Sequence, residues 1–287
     1  MFQFFQIRWS PNEVLFQLGS FGLHYYSLMF VIAFGIGYKI VEKYFVEEGV
    51  SKDYLEPLFV YMVLSTLLGA RLGEVFFYSW DYYQNHFLEI LLPIRENING
   101  TILGFIKGYE FTGFRGLASH GAGIGIITGI ILFQFKHKLK STLWIFDRLT
   151  VVVTLGGVFI RLGNFINSEI VGKYTGSDFG IIFENRGETL PRHPAQLYES
   201  FGYLILFLFL RQLYKKVNHK PGYLLGVFLS GIFSIRFIVE YVKESQGGFE
   251  TYMPMFSTGQ WLSIPFIISG LFLIYNSKLK NPKNTLR

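Results

Sequence analysis

Three arginines occur inside or at the ends of long apolar runs: Arg71 in ARLGEVFFY, Arg161 in RLGNFINSEIVG and Arg236 in IRFIVEYVKE. Each has polar company at short spacing. Glu74 lies three residues after Arg71 and Glu240 four after Arg236, while Asn164, Asn167 and Glu169 follow Arg161. On insertion scales an arginine left facing lipid costs about 2.5–3.5 kcal/mol. Such residues therefore face an interior or a wet cavity, and their planar forks suit a flat oxyanion, phosphate above all. His120, in SHGAG, has the residue type for a general base near neutral pH. Tyr25 and Tyr26 open another apolar run, and His193 lies in RHPAQLYES. Plainer readings exist for each. The Arg–Glu pairs fit helix ion pairs, the tyrosines fit an interfacial belt, and His193 fits gating or lipid contact as well as packing, since Pro194 marks a helix start.

The setting for these residues is a membrane. The chain has 287 residues, 51% hydrophobic and only 16% charged, against about 25% charged in soluble domains. The formal net charge of +6 is accounted for by loop Lys and Arg rather than by nucleic acid. No cysteine is present, so disulfides and thiolate zinc sites are excluded, and any thiol chemistry must use a substrate's thiol. The first twenty residues lack the pattern of a cleaved signal peptide. The spacings of metal, nucleotide and serine-hydrolase motifs do not occur, so neither metal nor cofactor is expected.

A crossing needs about 20 mostly apolar residues. Seven stretches qualify: 21–41, 57–79, 119–135, 142–163, 196–214, 222–242 and 258–276. The expectation is one all-α integral membrane domain, residues 1–287, with seven transmembrane helices and long outer loops at about 80–118 and 164–195. Basic clusters set the orientation. Lys136, Lys138 and Lys140, then Arg211, Lys215, Lys216 and Lys220, then Lys278, Lys280, Lys283 and Arg287 fall on alternate connections and the tail. They place the C-terminus in the cytoplasm, with Lys39, Lys43 and Lys52 on the same side and the N-terminus outside. At about 1.5 Å per residue, Tyr26, Arg71, His120, Arg161 and Arg236 then fall in one layer near the outer surface, where the abundant phosphate is a phospholipid headgroup. Arg148, at the opposite end of the fourth span, reads as a replaceable interfacial charge.

The stretch RLGNFINSEIVG, with Arg161, Gly163, Asn164, Phe165, Asn167, Glu169 and Gly172, resembles the signature of bacterial prolipoprotein diacylglyceryl transferases. The resemblance extends over YYSLMF around Tyr26, ARLGEVFFY, SHGAG, Asp147, RHPAQLYES and IRFIVEYVKE, from the first span to the last. Ile160, Ser168, Ala122 and His24 depart from the usual pattern; Ser168 stands where glycine or histidine is common. The resemblance implies a multi-pass enzyme of the bacterial inner membrane. It would move the diacylglyceryl group of phosphatidylglycerol to the lipobox cysteine of a preprolipoprotein signal peptide, forming a thioether and releasing glycerol phosphate. His120, Tyr26 and Arg236 are then the expected catalytic residues, with His120 or Tyr26 serving the thiol proton. Arg161, Asn164, Asn167, Glu169, Gly172, Glu240, Arg71 and His193 are the expected substrate contacts. A transporter or lipid-binding protein for a phosphate-bearing ligand is the alternative, for which internal repeats or paired broken helices would be the sign.

Overall fold

The computed structural model describes residues 7–18, 21–102, 104–112, 116–216, 220–245 and 253–279. Lys280, Lys283 and Arg287, which contribute to the orientation argument, lie outside the described residues, as does the side chain of Lys278. In chain order the elements are β1 (Ile7–Trp9), β2 (Val14–Leu18), β3 (Phe21–His24), α1 (Tyr25–Glu47), α2 (Leu55–Phe77), α3 (Trp80–Tyr83), α4 (Phe87–Leu91), β4 (Ile94–Ile102), β5 (Ile106–Phe111), α5 (Ser119–His137), α6 (Thr142–Ile166), β6 (Ile181–Phe183), α7 (Ala195–Lys216), α8 (Tyr223–Val239) and α9 (Thr258–Leu279). Each of the seven apolar stretches contains a helix, although 21–41 opens with the strand β3 and its helix begins at Tyr25. Among the described residues three segments, Lys52–Phe77, Thr142–Ile166 and Thr258–Ser277, are long and apolar enough to cross a membrane, and Tyr223–Val239 is apolar but shorter.

The connections expected to be loops carry more structure than that. β1 pairs in parallel with β6 across more than 170 residues of chain, β2 pairs with β3, and β4 with β5 as a hairpin whose register shifts between Glu96 and Thr101. The fold is mostly helical rather than purely α. These strands are short, and at least one pairs with a partner that no local pattern announces.

The chain divides into two compact units, residues 1–44 with 143–287, and residues 45–142. In the first, Val151 and Leu155 of α6, Leu206, Phe207, Leu210 and Tyr214 of α7, Leu224 of α8 and Tyr44 of α1 form the apolar core. Asp147 on α6 accepts hydrogen bonds from the Gly222 and Leu225 amides at 2.8 and 2.9 Å, so it caps α8 from another helix, where first-turn N–H groups have no partner of their own. Next to it Arg148 is buried, with its guanidinium 4.4 Å from the centre of the Trp144 ring. That position corrects the reading of Arg148 as a replaceable interfacial charge.

In the second unit α2 and α5 approach through glycine. A side chain on Gly121 would overlap the Gly69 carbonyl, and one on Gly125 the Ser65 carbonyl. Small residues permit this contact in a membrane, where no hydrophobic effect drives helices together. Gly123, on the same helix, has nothing within 4 Å of an added Cβ. Gly125→Val should therefore lower the melting temperature of the detergent-purified protein by more than about 5 °C, since overpacking typically costs about 1–3 kcal/mol. Gly123→Ala should leave it unchanged or slightly raised. Equal melting curves for the two variants would show that this helix pair does not depend on close approach.

Candidate functional site

Helix α6 delivers Arg161 and Asn164 on its last turns and then stops abruptly. Ser168 and Ile170 take left-handed backbone angles, φ 54° and 58°. A glycine would accept the first without strain, which agrees with the departure from the family pattern at Ser168. The turn is held by the Asn167 amide on the Gly163 carbonyl at 3.0 Å and the Glu169 amide on the Asn164 carbonyl at 3.0 Å. From the opposite end of the sequence Trp9 donates its indole N–H to the Phe165 carbonyl at 3.0 Å and stacks on the Phe165 ring at 4.5 Å. It thereby satisfies one of the carbonyls a helix end leaves open.

Around that helix end a polar network closes. Arg161 Nε meets Glu199 Oε2 of α7 at 2.5 Å, with side-chain exposures of 14% and 1%. Arg161 Nη1 donates to Asn164 Oδ1 at 3.1 Å, and Asn164 Nδ2 donates to Glu169 Oε1 at 2.6 Å. Arg161 also hydrogen-bonds the Tyr203 side chain, and Tyr26, whose ring packs on Gly163, hydrogen-bonds Asn164. Gln196 Nε2 reaches the Glu169 carbonyl at 2.7 Å. Tyr203 lies within electrostatic reach of both Arg161 and Arg236. Tyr26 on α1, Arg161 and Asn164 on α6, Glu199 and Tyr203 on α7 and Arg236 on α8 therefore belong to one site.

The two arginines are held differently. Arg161 is tied by charge and hydrogen bonds. Arg236 has a buried Nε with no hydrogen-bond partner among the described residues, and the Glu240 carboxylate one turn on stands off at 3.9 Å. Buried polar atoms left without partners call for an explanation. Here Asn167 Oδ1, Gln196 Oε1 and Glu199 Oε1 are buried acceptors without donors among the described residues. A buried arginine Nε without a hydrogen bond, and buried acceptors without donors on α7 and just after α6, leave hydrogen-bonding capacity that a ligand with an anion and hydroxyl donors would fill.

A small lattice of strands lies over the α6 end. Gly172 donates to the His193 carbonyl at 2.9 Å, Lys173 to the Val242 carbonyl at 2.7 Å, and Ile181 to the Arg192 carbonyl at 3.0 Å. Segments 171–174, 192–193 and 242–244 and β6 thus share one ladder. Gly172 is required by approach, because an added Cβ would sit 2.5 Å from the His193 carbonyl and 2.8 Å from that of Val242. His193 contributes its backbone to this ladder, and its Nδ1 lies 3.2 Å from the Tyr198 hydroxyl. Arg192 joins the layers: it bonds the Gly172 carbonyl at 3.0 Å, Glu188 at 2.9 Å and Glu244 at 3.0 Å. Burial works to raise the Glu188 pKa, but hydrogen bonds from Tyr174 and Arg192 outweigh it and hold the carboxyl below its usual value.

Arg71 and His120 belong to the second unit. Arg71 is buried and gives Nε to the Ile90 carbonyl at 3.0 Å and Nη2 to the Glu89 carbonyl at 2.5 Å, beneath the Tyr83 ring. These bonds hold α4 against the end of α2. His120 is exposed on the first turn of α5. His86, Glu89 and Glu96 come close enough to share a cation, yet the two Glu89 oxygens accept from the Tyr82 hydroxyl at 2.8 Å and the Glu96 amide at 2.7 Å, so the group is explained by its own hydrogen bonds.

Sequence reasoning missed Glu199, Gln196, Tyr203 and Trp9. Glu199 alone carried a signal, as a carboxylate near the start of an apolar helix, although only His193 was singled out in that stretch.

Helices long and apolar enough to cross a bilayer, with an arginine-centred polar network at the end of one of them, mark the class of integral membrane proteins with a polar site among their helices. Residues 13–276 match the family model of prolipoprotein diacylglyceryl transferase, and the chain belongs to that family. It is 41% identical over 280 residues, covering 96% of this chain and 98% of the relative, to the phosphatidylglycerol--prolipoprotein diacylglyceryl transferase of Bacteroides fragilis. Enzymes of the same name from Tolumonas auensis and Chloroherpeton thalassium are each 39% identical over 93% and 94% of the chain, respectively, and 95% and 94% of their own lengths.

The tightness of the Arg161–Glu199 pair has a testable consequence. Glu199→Ala leaves a buried guanidinium uncompensated and should destabilise the protein by about 3–5 kcal/mol, read as a fall in melting temperature. Arg161→Met combined with Glu199→Met should recover most of that fall. An unchanged melting temperature in Glu199→Ala would mean that the pair carries no stability.

Proposed function

We infer that the chain is a transferase that moves the diacylglyceryl group of phosphatidylglycerol onto the lipobox cysteine thiol of preprolipoproteins. The observation that carries this reading is the buried Arg236 Nε left without a hydrogen bond among the described residues, near the same Tyr203 as the closed Arg161 network, together with the unpaired acceptors Asn167 Oδ1, Gln196 Oε1 and Glu199 Oε1 of the same unit. A phosphoglycerol headgroup offers what they lack, an anion and hydroxyl donors. The chain has no cysteine, so the nucleophilic sulfur is the substrate's.

In the reaction the thiol loses its proton, the sulfur attacks the glyceryl carbon esterified to phosphate, and the C–O bond breaks as the C–S bond forms. The electron pair leaves on glycerol phosphate. Arg236 binds the phosphate and stabilises the charge that grows on the leaving group, as a fixed donor does in a site that excludes water. Arg161 holds Asn164 and, through it, Glu169 and Tyr26 in register. Gly172 allows the strand that follows Glu169 to close over the α6 end. A free thiol has a pKa near 8.5 and reacts as the thiolate, so a proton acceptor accelerates the step. His120 is proposed for that task on its residue type and its exposed place on α5. The Tyr26 hydroxyl is engaged with Asn164, which supports an orienting role. Arg71 organises the segment that follows α2, Glu240 and His193 shape the surroundings of Arg236 and Gly172, and no cofactor takes part.

The protein is proposed to cross the inner membrane seven times, with α1, α2, α5, α6, α7, α8 and α9 as the spans, the N-terminus outside and the C-terminus in the cytoplasm. In this cysteine-free chain, single cysteines at Lys138 or Lys216 should resist an impermeant thiol reagent added to intact cells. Labelling from outside would reverse the orientation.

Purified protein supplied with phosphatidylglycerol and a lipobox peptide tests the activity directly, and a peptide with Ser for Cys should give no product. In the same assay Arg161→Lys should fold yet lose most activity, because an ammonium cannot serve Glu199, Asn164 and Tyr203 together as the planar fork does. His120→Gln should lower turnover about 10²- to 10⁴-fold and recover in part at higher pH, where the thiol ionises unaided. A fully active Arg161→Lys enzyme would make that arginine a mere anchor, and unchanged turnover in His120→Gln would leave Tyr26 as the proton acceptor to test.

A further inference from the structure

Glu240 sits one turn beyond Arg236, the spacing at which a carboxylate normally claims an arginine on the same helix. Here the two make only a long ion pair, without a hydrogen bond. Glu240 Oε1 is taken by the Lys243 ammonium at 2.8 Å, and Oε2 accepts the Ser257 hydroxyl at 3.0 Å. Arg236 Nε is left 3.9 Å from that same Oε1, buried and without a hydrogen bond among the described residues. Lys243 is itself buried, with 3% of its side chain exposed against 7% for Glu240. The contact is held from both directions. Lys243 is fixed by its bridge to Gly172 in the strand lattice. Ser257 is fixed by Gln260, whose Oε1 accepts the Ser257 amide at 2.9 Å and whose own amide donates to the Ser257 hydroxyl at 3.2 Å. Gly259 packs so closely on the carboxylate that an added Cβ would overlap it.

We propose that Lys243 is a positioning residue for the transfer reaction: by occupying Glu240 it keeps that carboxylate off Arg236 and leaves the guanidinium for the substrate's phosphate. The proposal rests on the reading of Arg236 as the phosphate contact. An ammonium is a compact point charge that satisfies one carboxylate oxygen from any direction, whereas the guanidinium's value lies in a planar fork that grips two oxygens at once. Giving the first to Glu240 and the second to the ligand matches each cation to the anion it serves better. If Lys243 were neutral, the nearest cation for a buried Glu240 would be Arg236, and phosphatidylglycerol would have to displace a carboxylate before binding. The penalty would fall on lipid binding, not on the chemical step. That separates this role from a structural one.

The experiment measures steady-state kinetics against phosphatidylglycerol in mixed micelles at a saturating lipobox peptide, with melting temperature read in parallel. Lys243→Met should raise the KM for phosphatidylglycerol about tenfold, the loss of roughly one charge-assisted contact, with kcat within about threefold of wild type. Lys243→Arg should restore KM. Glu240→Gln combined with Lys243→Met should bring KM most of the way back, because the competing charge is gone. If Lys243→Met does not accumulate, Lys243→Gln is read instead; it still donates to Glu240 and should raise KM at least threefold. The proposal is overturned if KM holds while kcat and melting temperature fall together, or if the double variant binds lipid as poorly as Lys243→Met. A wild-type protein that does not turn over phosphatidylglycerol would sink the functional reading instead, and is seen before any variant is made.

Discussion

The constraint on which the first unit depends is the burial of the Arg161 guanidinium among apolar helices. A charge there is tolerated only when an opposite charge and enough hydrogen-bonding groups reach it. Glu199 supplies the charge from α7, and Asn164 and Tyr203 supply partners from α6 and α7. Each contact fixes a rotation and a depth for the helix that provides it. A slip of either helix by one residue would strand both charges. The apolar core formed by Val151, Leu155, Leu206 and Leu210 tolerates such slips far better, since one aliphatic side chain replaces another at modest cost.

The contrast between Arg161 and Arg236 then sorts structure from function. Both lie near Tyr203, yet the first is closed by Glu199 and the second is kept open because Lys243 and Ser257 hold Glu240. An arginine fully engaged by protein holds a scaffold. On the proposed reading, one with a buried, unpaired Nε is left for the substrate's phosphate. The strand lattice over the α6 end serves this arrangement by locking Gly172, His193 and Lys243 to one another.

The second unit meets the same desolvation problem in another way. Arg71 is buried and turns to the backbone, taking the Glu89 and Ile90 carbonyls at the end of α4. The last carbonyls of a helix carry partial negative charge and no intrahelical partner, so they can hold a guanidinium at short range. The effect is to fasten the segment that leaves α2. The glycine contact of α2 with α5 works toward the same end, because Ala118 donates to the Ala70 carbonyl at 3.0 Å and the chain must re-enter where it left.

The seven helices were legible in the sequence because an apolar run of about 20 residues has few alternatives to helix in a membrane, where every backbone N–H and C=O must be bonded internally. The arginines of the site were legible for the same reason, a charge within such a run being costly enough to need a purpose. RLGNFINSEIVG by itself also pointed to the family. The partners were not legible. Glu199 lies 38 residues from Arg161, Trp9 reaches Phe165 from the other end of the chain, and β1 pairs with β6 over a comparable distance. Spacing along a helix suggested that Glu240 belongs to Arg236, and only the tertiary structure shows that Lys243 and Ser257 hold it. Local periodicity fixes which face a residue occupies, but among several charges within reach of one another the nearest approach decides, and that is a property of the packed helices.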